Sequence, residues 1–250
     1  MEKLKRAVKD GLLPFLIMFL TMGVCIVCFR LCKEANMTEF LPAVELAGEE
    51  TNPTYGRLIW CVVSFILTII LTAIAGKTID KDNINTDRER LLLPWTLSVT
   101  AGTLLWQSFG ECMWHFGLYS MNDEGESIFI NFPRIECLQG IPMLIVFAIL
   151  FCLMYGKITF NIQLCLAAFL ANWYGHVGMI GTYPIAVTLG STMDMASWHR
   201  LSGAVHLVIC LVIAILLMFN DKSKRLRYMS AIALFIAYGN LVYGVILAET

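Results

Sequence analysis

Glu111 and His115 stand one helical turn apart in 106-WQSFGECMWHFG-117, a stretch otherwise apolar enough to lie in a membrane. Ser108 precedes them at a spacing that sets all three on one stripe, because residues three, four or seven apart share a helix face. Asn172 and His176 form a second stripe, His199 and His206 a third, and Glu136 and Cys137 adjoin each other. Two chemistries suit these residue types. In the first, Cys137 is a nucleophile and His199 or His206 removes its proton, since thiolate is the reactive form. Attack on a lipid ester would give a thioester, with Gln139 or Asn172 donating to the oxyanion. Ser108, Glu111, His115, Glu136, Asn172 and His176 would line the substrate pocket. In the second, Glu111, His115, His176 and His206 offer ligand types that suit zinc or iron, serving hydrolysis or a cation pathway. A plainer role is open to each group. Glu111 and His115 can pair and seal a helix interface, and Glu136 and His199 can be solvated end groups.

The elements that must carry these groups are membrane helices. Of 250 residues, 58% are hydrophobic and 15% charged, the composition of a polytopic membrane protein. A net charge of −1 argues against a nucleic-acid partner held by bulk electrostatics. Nine cysteines are spread mainly through apolar segments, where a free thiol behaves as a small hydrophobe, so they announce no disulfide framework; Cys25, Cys28 and Cys32 read as packing residues. The basic start, Lys3, Lys5, Arg6 and Lys9, leads into an apolar run to about Leu31 with no small-residue cleavage motif, which reads as a retained first helix.

A span needs ~20 apolar residues. By that rule the chain is an all-α bundle of seven transmembrane helices in a single domain, 1–250, with spans at about 11–32, 57–76, 93–119, 138–155, 160–182, 202–219 and 228–247. Lys and Arg near span ends mark the cytoplasmic side. They gather at the N-terminus, at Lys77, Lys81, Arg88 and Arg90, at Lys157, and at Lys222, Lys224, Arg225 and Arg227. The remaining loops are acidic or sparse in Lys and Arg, giving a cytoplasmic N-terminus and an external C-terminus, in the plasma membrane if the chain is bacterial. That direction is opposite to the usual one for receptor and rhodopsin bundles, and span 228–247 has no lysine for a retinal Schiff base.

Applied to each helix, this direction puts all 4 histidines on the outer side. An ionisable group in a span costs at least ~2.5–3.5 kcal/mol on insertion scales, so such groups normally face a bundle interior or a wet cavity. The inner halves carry few polar groups, of which Thr68, Thr72, Thr96, Ser98, Thr100 and Gln163 are the best candidates, none ionisable in the working pH range. That poverty favours an enzyme or a one-sided binding site over a transporter. A third reading is a non-catalytic component whose polar groups only fix packing, at ~0.6 kcal/mol per interhelical hydrogen bond.

The motifs 132-FPRIECLQGIPM-143, 171-ANWYGHVGMIGTYP-184 and 198-WHRLSGAVH-206 resemble the YwaF type of seven-span membrane protein, a group that includes a mammalian ether-phospholipid acyltransferase. The resemblance covers about 130–215. It implies membrane lipids as partners, Cys137 as the residue that takes up an acyl group, and a histidine of 198–206 as its base. Where the family often has a histidine two residues before the cysteine, this chain has Ile135. A looser likeness, to sterol isomerases of the emopamil-binding type, rests on the carboxylate and imidazole one turn apart and implies acid/base chemistry on a buried steroid.

Overall fold

The computed structural model describes residues 1–35, 44–46, 49–51, 55–79, 87–115, 159–177, 186 and 189–246; among these, 33–35, 44–46, 49–51, 109–115, 173–177, 195 and 243 are described by backbone alone. The described fold is helical apart from two short strands in the first loop, β1 (Val44–Leu46) and β2 (Glu49–Thr51), which pair antiparallel with Glu45 opposite Glu50.

Helix α1 (Glu2–Ala7) continues through a π turn (Val8–Leu12) into α2 (Leu13–Ala35). Pro14 accounts for the turn. It has no N–H to give to the carbonyl of Asp10, and its ring crowds that carbonyl, so the helix widens and the Leu13 N–H reaches back to Val8 O. Pro14 is almost wholly buried, and its own carbonyl accepts from Trp95 Nε1 at 3.2 Å. The chain continues through α3 (Tyr55–Thr78), α4 (Leu92–His115), α5 (Phe160–Val177), α6 (Met195–Met218) and α7 (Lys224–Gly239), which ends in a second π segment, Asn240–Ile246.

Four helical segments are long and apolar enough to cross a membrane: Glu2–Cys32, Tyr55–Thr78, Ala196–Met218 and Lys224–Ile246. Their outward faces carry exposed Val24, Val27, Ile66, Ile69, Val212 and Leu216. Water would not tolerate so continuous an apolar surface, whereas hydrocarbon solvates it. The chain is a membrane-embedded helical protein. Helices overlie six of the seven apolar segments read from the sequence, and 138–155 lies outside the described residues.

Helix α4 sits between α2, α3 and α5. Its Trp95 and Val99 pack with Met18 of α2, Leu164 and Ala168 of α5, and Tyr228 and Ile232 of α7. Gly102 makes the closest approach: a Cβ there would lie 2.3 Å from the Cys165 carbonyl oxygen, so α4 and α5 touch backbone to backbone. Directions follow from the pairings. Ser108 meets Cys61 and Thr68 meets Ala101, so α3 and α4 are antiparallel. Phe160 clusters with Trp95 while Asn172 reaches Thr103, so α4 and α5 are parallel. Asp10 pairs with Arg227, and Phe19 stacks edge-on with Tyr238, which makes α2 and α7 parallel too.

Candidate functional site

The two ends of the bundle differ in kind. At the end holding the N-terminus, the 87–91 segment and the α6–α7 turn, several charges are paired, and some of the paired groups are deeply buried. Arg227 donates from Nε to Asp10 Oδ2 at 2.8 Å, from Nη1 to the Asn220 carbonyl at 3.0 Å, and from Nη2 to Asp87. Arg225 grips Glu89 with two bonds of 3.0 and 2.6 Å to Oε1, its guanidinium lying 4.5 Å from the centre of the Phe160 ring. Lys224 Nζ donates to the Glu89 carbonyl at 2.6 Å. Glu89 is 0% exposed, Arg227 2% and Asp10 4%, burial that charged groups sustain only when paired and hydrogen-bonded. At the surface, Lys3 meets Asp221 at 2.6 Å and holds that carboxyl below its ordinary range, chiefly through the hydrogen bond. Sequence reasoning missed Asp10, Asp87 and Glu89, because 87-DRER-90 and the basic N-terminus were read only for their positive charge. The available signal was the presence of acids inside otherwise basic stretches.

The residues singled out for chemistry lie toward the other end. At about 1.5 Å rise per residue, Ser108 is about 24 Å along α4 from Leu92, Asn172 about 18 Å along α5 from Phe160, and His206 about 18 Å along α6 from Met218. By the same measure His176 stands at about 24 Å and Glu111 and His199 at about 28 Å on their helices. The Glu111, His115 and His176 side chains, and Glu136 and Cys137 altogether, lie outside what is described.

Three of the candidates are held by different partners. Ser108 is buried and faces α3, its Oγ donating to the Cys61 carbonyl at 2.9 Å; beside it Trp60 Nε1 donates to Gln107 Oε1 at 3.2 Å. Asn172 is buried and faces α4. Its Nδ2 donates to the Ala168 carbonyl at 2.8 Å and to Thr103 Oγ1 at 3.3 Å, which uses both amide hydrogens. Flipping the amide would set two oxygens 2.8 Å apart at Ala168, so the orientation is fixed. The side chain therefore has no hydrogen left for an oxyanion, and its Oδ1, unpartnered among the described residues, is an acceptor. His206 has its Nδ1 3.4 Å from Ser202 Oγ, one turn earlier on α6. His199 follows the start of that helix, where Asp194 caps by accepting from the Ser197 N–H at 2.9 Å; the Ser197 hydroxyl first, and this backbone bond next, hold the Asp194 carboxyl below its ordinary range.

Comparison with protein-family models, with curated proteins and with solved structures finds no match to this chain. Local chemistry carries the functional reading alone. Among the described residues no three His, Cys, Asp or Glu side chains gather as metal ligands would. In the basic half Thr72 Oγ1, Ser98 Oγ and Asn161 Oδ1 are buried without a partner among the described residues, whereas three threonines are committed to backbone carbonyls. Thr68 donates to the Ser64 and Ala101 carbonyls at 2.9 and 3.0 Å, Thr96 to Leu92 O at 2.9 Å and Thr100 to Thr96 O at 2.7 Å.

Proposed function

We propose that this chain is an integral membrane enzyme that acts on a lipid-like substrate from the end opposite its buried ion pairs, by acyl transfer or hydrolysis. One observation carries the preference over a transporter: the basic end is closed by the Arg227–Asp10 and Arg225–Glu89 pairs, with Arg227, Asp10 and Glu89 buried. A cation path through that end would have to break these pairs. A pocket open to the opposite leaflet leaves them intact.

In this reading Cys137 is the nucleophile, His199 or His206 the base, and Ser108, Glu111, His115, Glu136, Asn172 and His176 line or tune the pocket. The imidazole takes the thiol proton, and the thiolate adds to an ester carbonyl. The tetrahedral intermediate then collapses, expelling the lipid alcohol, which takes the proton from the imidazolium. Water or a second alcohol, deprotonated by the same imidazole, attacks the thioester and releases the thiolate, which recovers that proton. Membrane lipids at the carbonyl depth of the bilayer are the natural acyl source. A cytoplasmic N-terminus belongs to this reading and is supported by Lys3, Arg6, Lys224, Arg225 and Arg227 meeting at one end, the seventh helix then ending outside.

The test is acyl turnover of lipids by purified protein, native against Cys137→Ala. Loss of turnover supports the thioester route, and unchanged turnover removes Cys137 from it. His199→Ala and His206→Ala, measured alongside, identify the base as the one whose loss abolishes acylation.

A further inference from the structure

The charges of the basic end divide into two sets. Every described carboxylate there is taken: Glu2 by Arg6 at 3.6 Å, Asp10 by Arg227 at 2.8 Å, Asp87 by Arg227 and Arg6, Glu89 by Arg225 at 2.6 Å and Asp221 by Lys3 at 2.6 Å. Six further cations, Lys5, Lys9, Lys77, Arg88, Arg90 and Lys222, are exposed and have no carboxylate partner among the described residues. They come from four separate places: the N-terminal helix and its π turn, the last turn of α3, the segment before α4, and the α6–α7 turn. All four meet at one end, next to exposed lipid-facing Leu12, Leu13, Ile74, Leu92 and Leu93.

We infer that these six cations form a rim that binds the headgroups of anionic phospholipids in the leaflet at that end. Asp10 and Glu89, buried against Arg227 and Arg225, are withdrawn from the rim, and its field reaches the bilayer surface as excess positive charge. Lysine supplies point charges to phosphate, and Arg88 and Arg90 can engage a phosphate in a two-pronged fashion. The partner is a lipid surface rather than one tightly held molecule, because the cations come from four separate places spread around the end. The inference does not depend on the proposed enzyme activity, which concerns the opposite end.

The test uses the full chain in mixed phosphatidylcholine and phosphatidylglycerol bilayers, extracted gently, with mass spectrometry of the lipids that remain bound. Native protein retains phosphatidylglycerol over phosphatidylcholine, and the preference declines as salt is raised, since exposed charges are screened within about 10 Å at 0.1 M. A variant carrying Lys5→Gln, Lys9→Gln, Arg88→Gln and Arg90→Gln loses at least tenfold of that preference, given about fivefold per cation near an anionic surface. Glu89→Gln, which breaks a paired site, lowers thermal stability and leaves the preference intact. An undiminished preference in the fourfold variant overturns the inference. If that variant does not insert, the native protein decides: a preference that is absent, or that salt does not weaken, overturns it equally.

Discussion

Gly102 is the position where adding a single methyl group has the most calculable effect. An ideal Cβ there would lie 2.3 Å from the Cys165 carbonyl oxygen, 2.7 Å from Ala168 Cβ and 2.9 Å from the Phe169 nitrogen. Comfortable separations between carbons are about 3.5–4.0 Å. Two of the three obstacles are backbone atoms, which cannot rotate aside, so α4 and α5 have to part by about 1 Å. A gap of that size forfeits roughly a quarter to a half of the dispersion energy across the affected contacts. Overpacking of this kind costs about 1–3 kcal/mol, with the upper part of the range applying where the obstacle is backbone. Alanine returns about 1 kcal/mol through its better helix propensity. The net expectation for Gly102→Ala is a loss of about 2 kcal/mol. At about 2–4 °C per kcal/mol for a chain of this size, the unfolding midpoint falls by roughly 4–8 °C. Gly23 on α2 is the internal control, because a Cβ there meets nothing within 4 Å. Gly23→Ala should be neutral or stabilise by up to about 1 kcal/mol. The assay is thermal unfolding of each variant in the same detergent or nanodisc. Equal midpoints for Gly102→Ala and Gly23→Ala would refute the close crossing of α4 and α5.

Three further perturbations probe the charged end and its neighbourhood. Arg227→Met strands Asp10, which is 4% exposed, and should cost about 3–5 kcal/mol by chemical unfolding; adding Asp10→Asn should restore part of it, and no restoration would mean the pair is not coupled. Ser98→Ala removes a wholly buried hydroxyl with no partner among the described residues and should stabilise by up to about 1 kcal/mol, while a clear loss would reveal a bond at Ser98. Asp221 has its pKa depressed below 3.8, so its contact with Lys3 is present above that pH and lost as pH falls through the depressed value. A spin-label pair on α1 and the α6–α7 turn should therefore keep its distance from neutral pH down to the low carboxylate range, and separation at mildly acidic pH would contradict the assignment.

How far the sequence reveals the fold depends on which force shapes each element. Apolar length locates helices well, since α3 spans Tyr55–Thr78 where the sequence suggests 57–76. It misplaces ends set by polar groups. Helix α6 begins at Met195 rather than near 202 because Asp194 caps it, and α7 begins at Lys224 rather than near 228 because Arg225 and Arg227 are helical and paired. For the candidate site, helical spacing tells which residues share a face but not which helix that face meets. Ser108 lies against Cys61 of α3, and Asn172 against Thr103 of α4, contacts that depend on the tertiary arrangement. The ion pairs were invisible for the same reason: Asp10 and Arg227 are separated by more than two hundred residues, and no local pattern links them.

The shared direction of α4 and α5 makes a last, independent demand on the topology. Leu91 and Trp95 at the start of α4 cluster with Phe160 at the start of α5, and Arg225 lies over the Phe160 ring, so both helices begin at the basic end. The chain leaves α4 at the far end and enters α5 at the basic end, and a return across the bundle between His115 and Phe160 is the expected outcome. The apolar stretch 138–155 is long enough to make that return in one pass. We predict such a single pass, which would give seven alternating spans with Glu124 and Lys157 on opposite faces of the membrane and Lys157 on the face of the N-terminus. Epitopes inserted after each residue, probed from either side of sealed vesicles, read this directly. Both epitopes reachable from one side would show that 116–158 does not cross, and would require α4 and α5 to be antiparallel, in conflict with the contacts of Phe160 and Asn172.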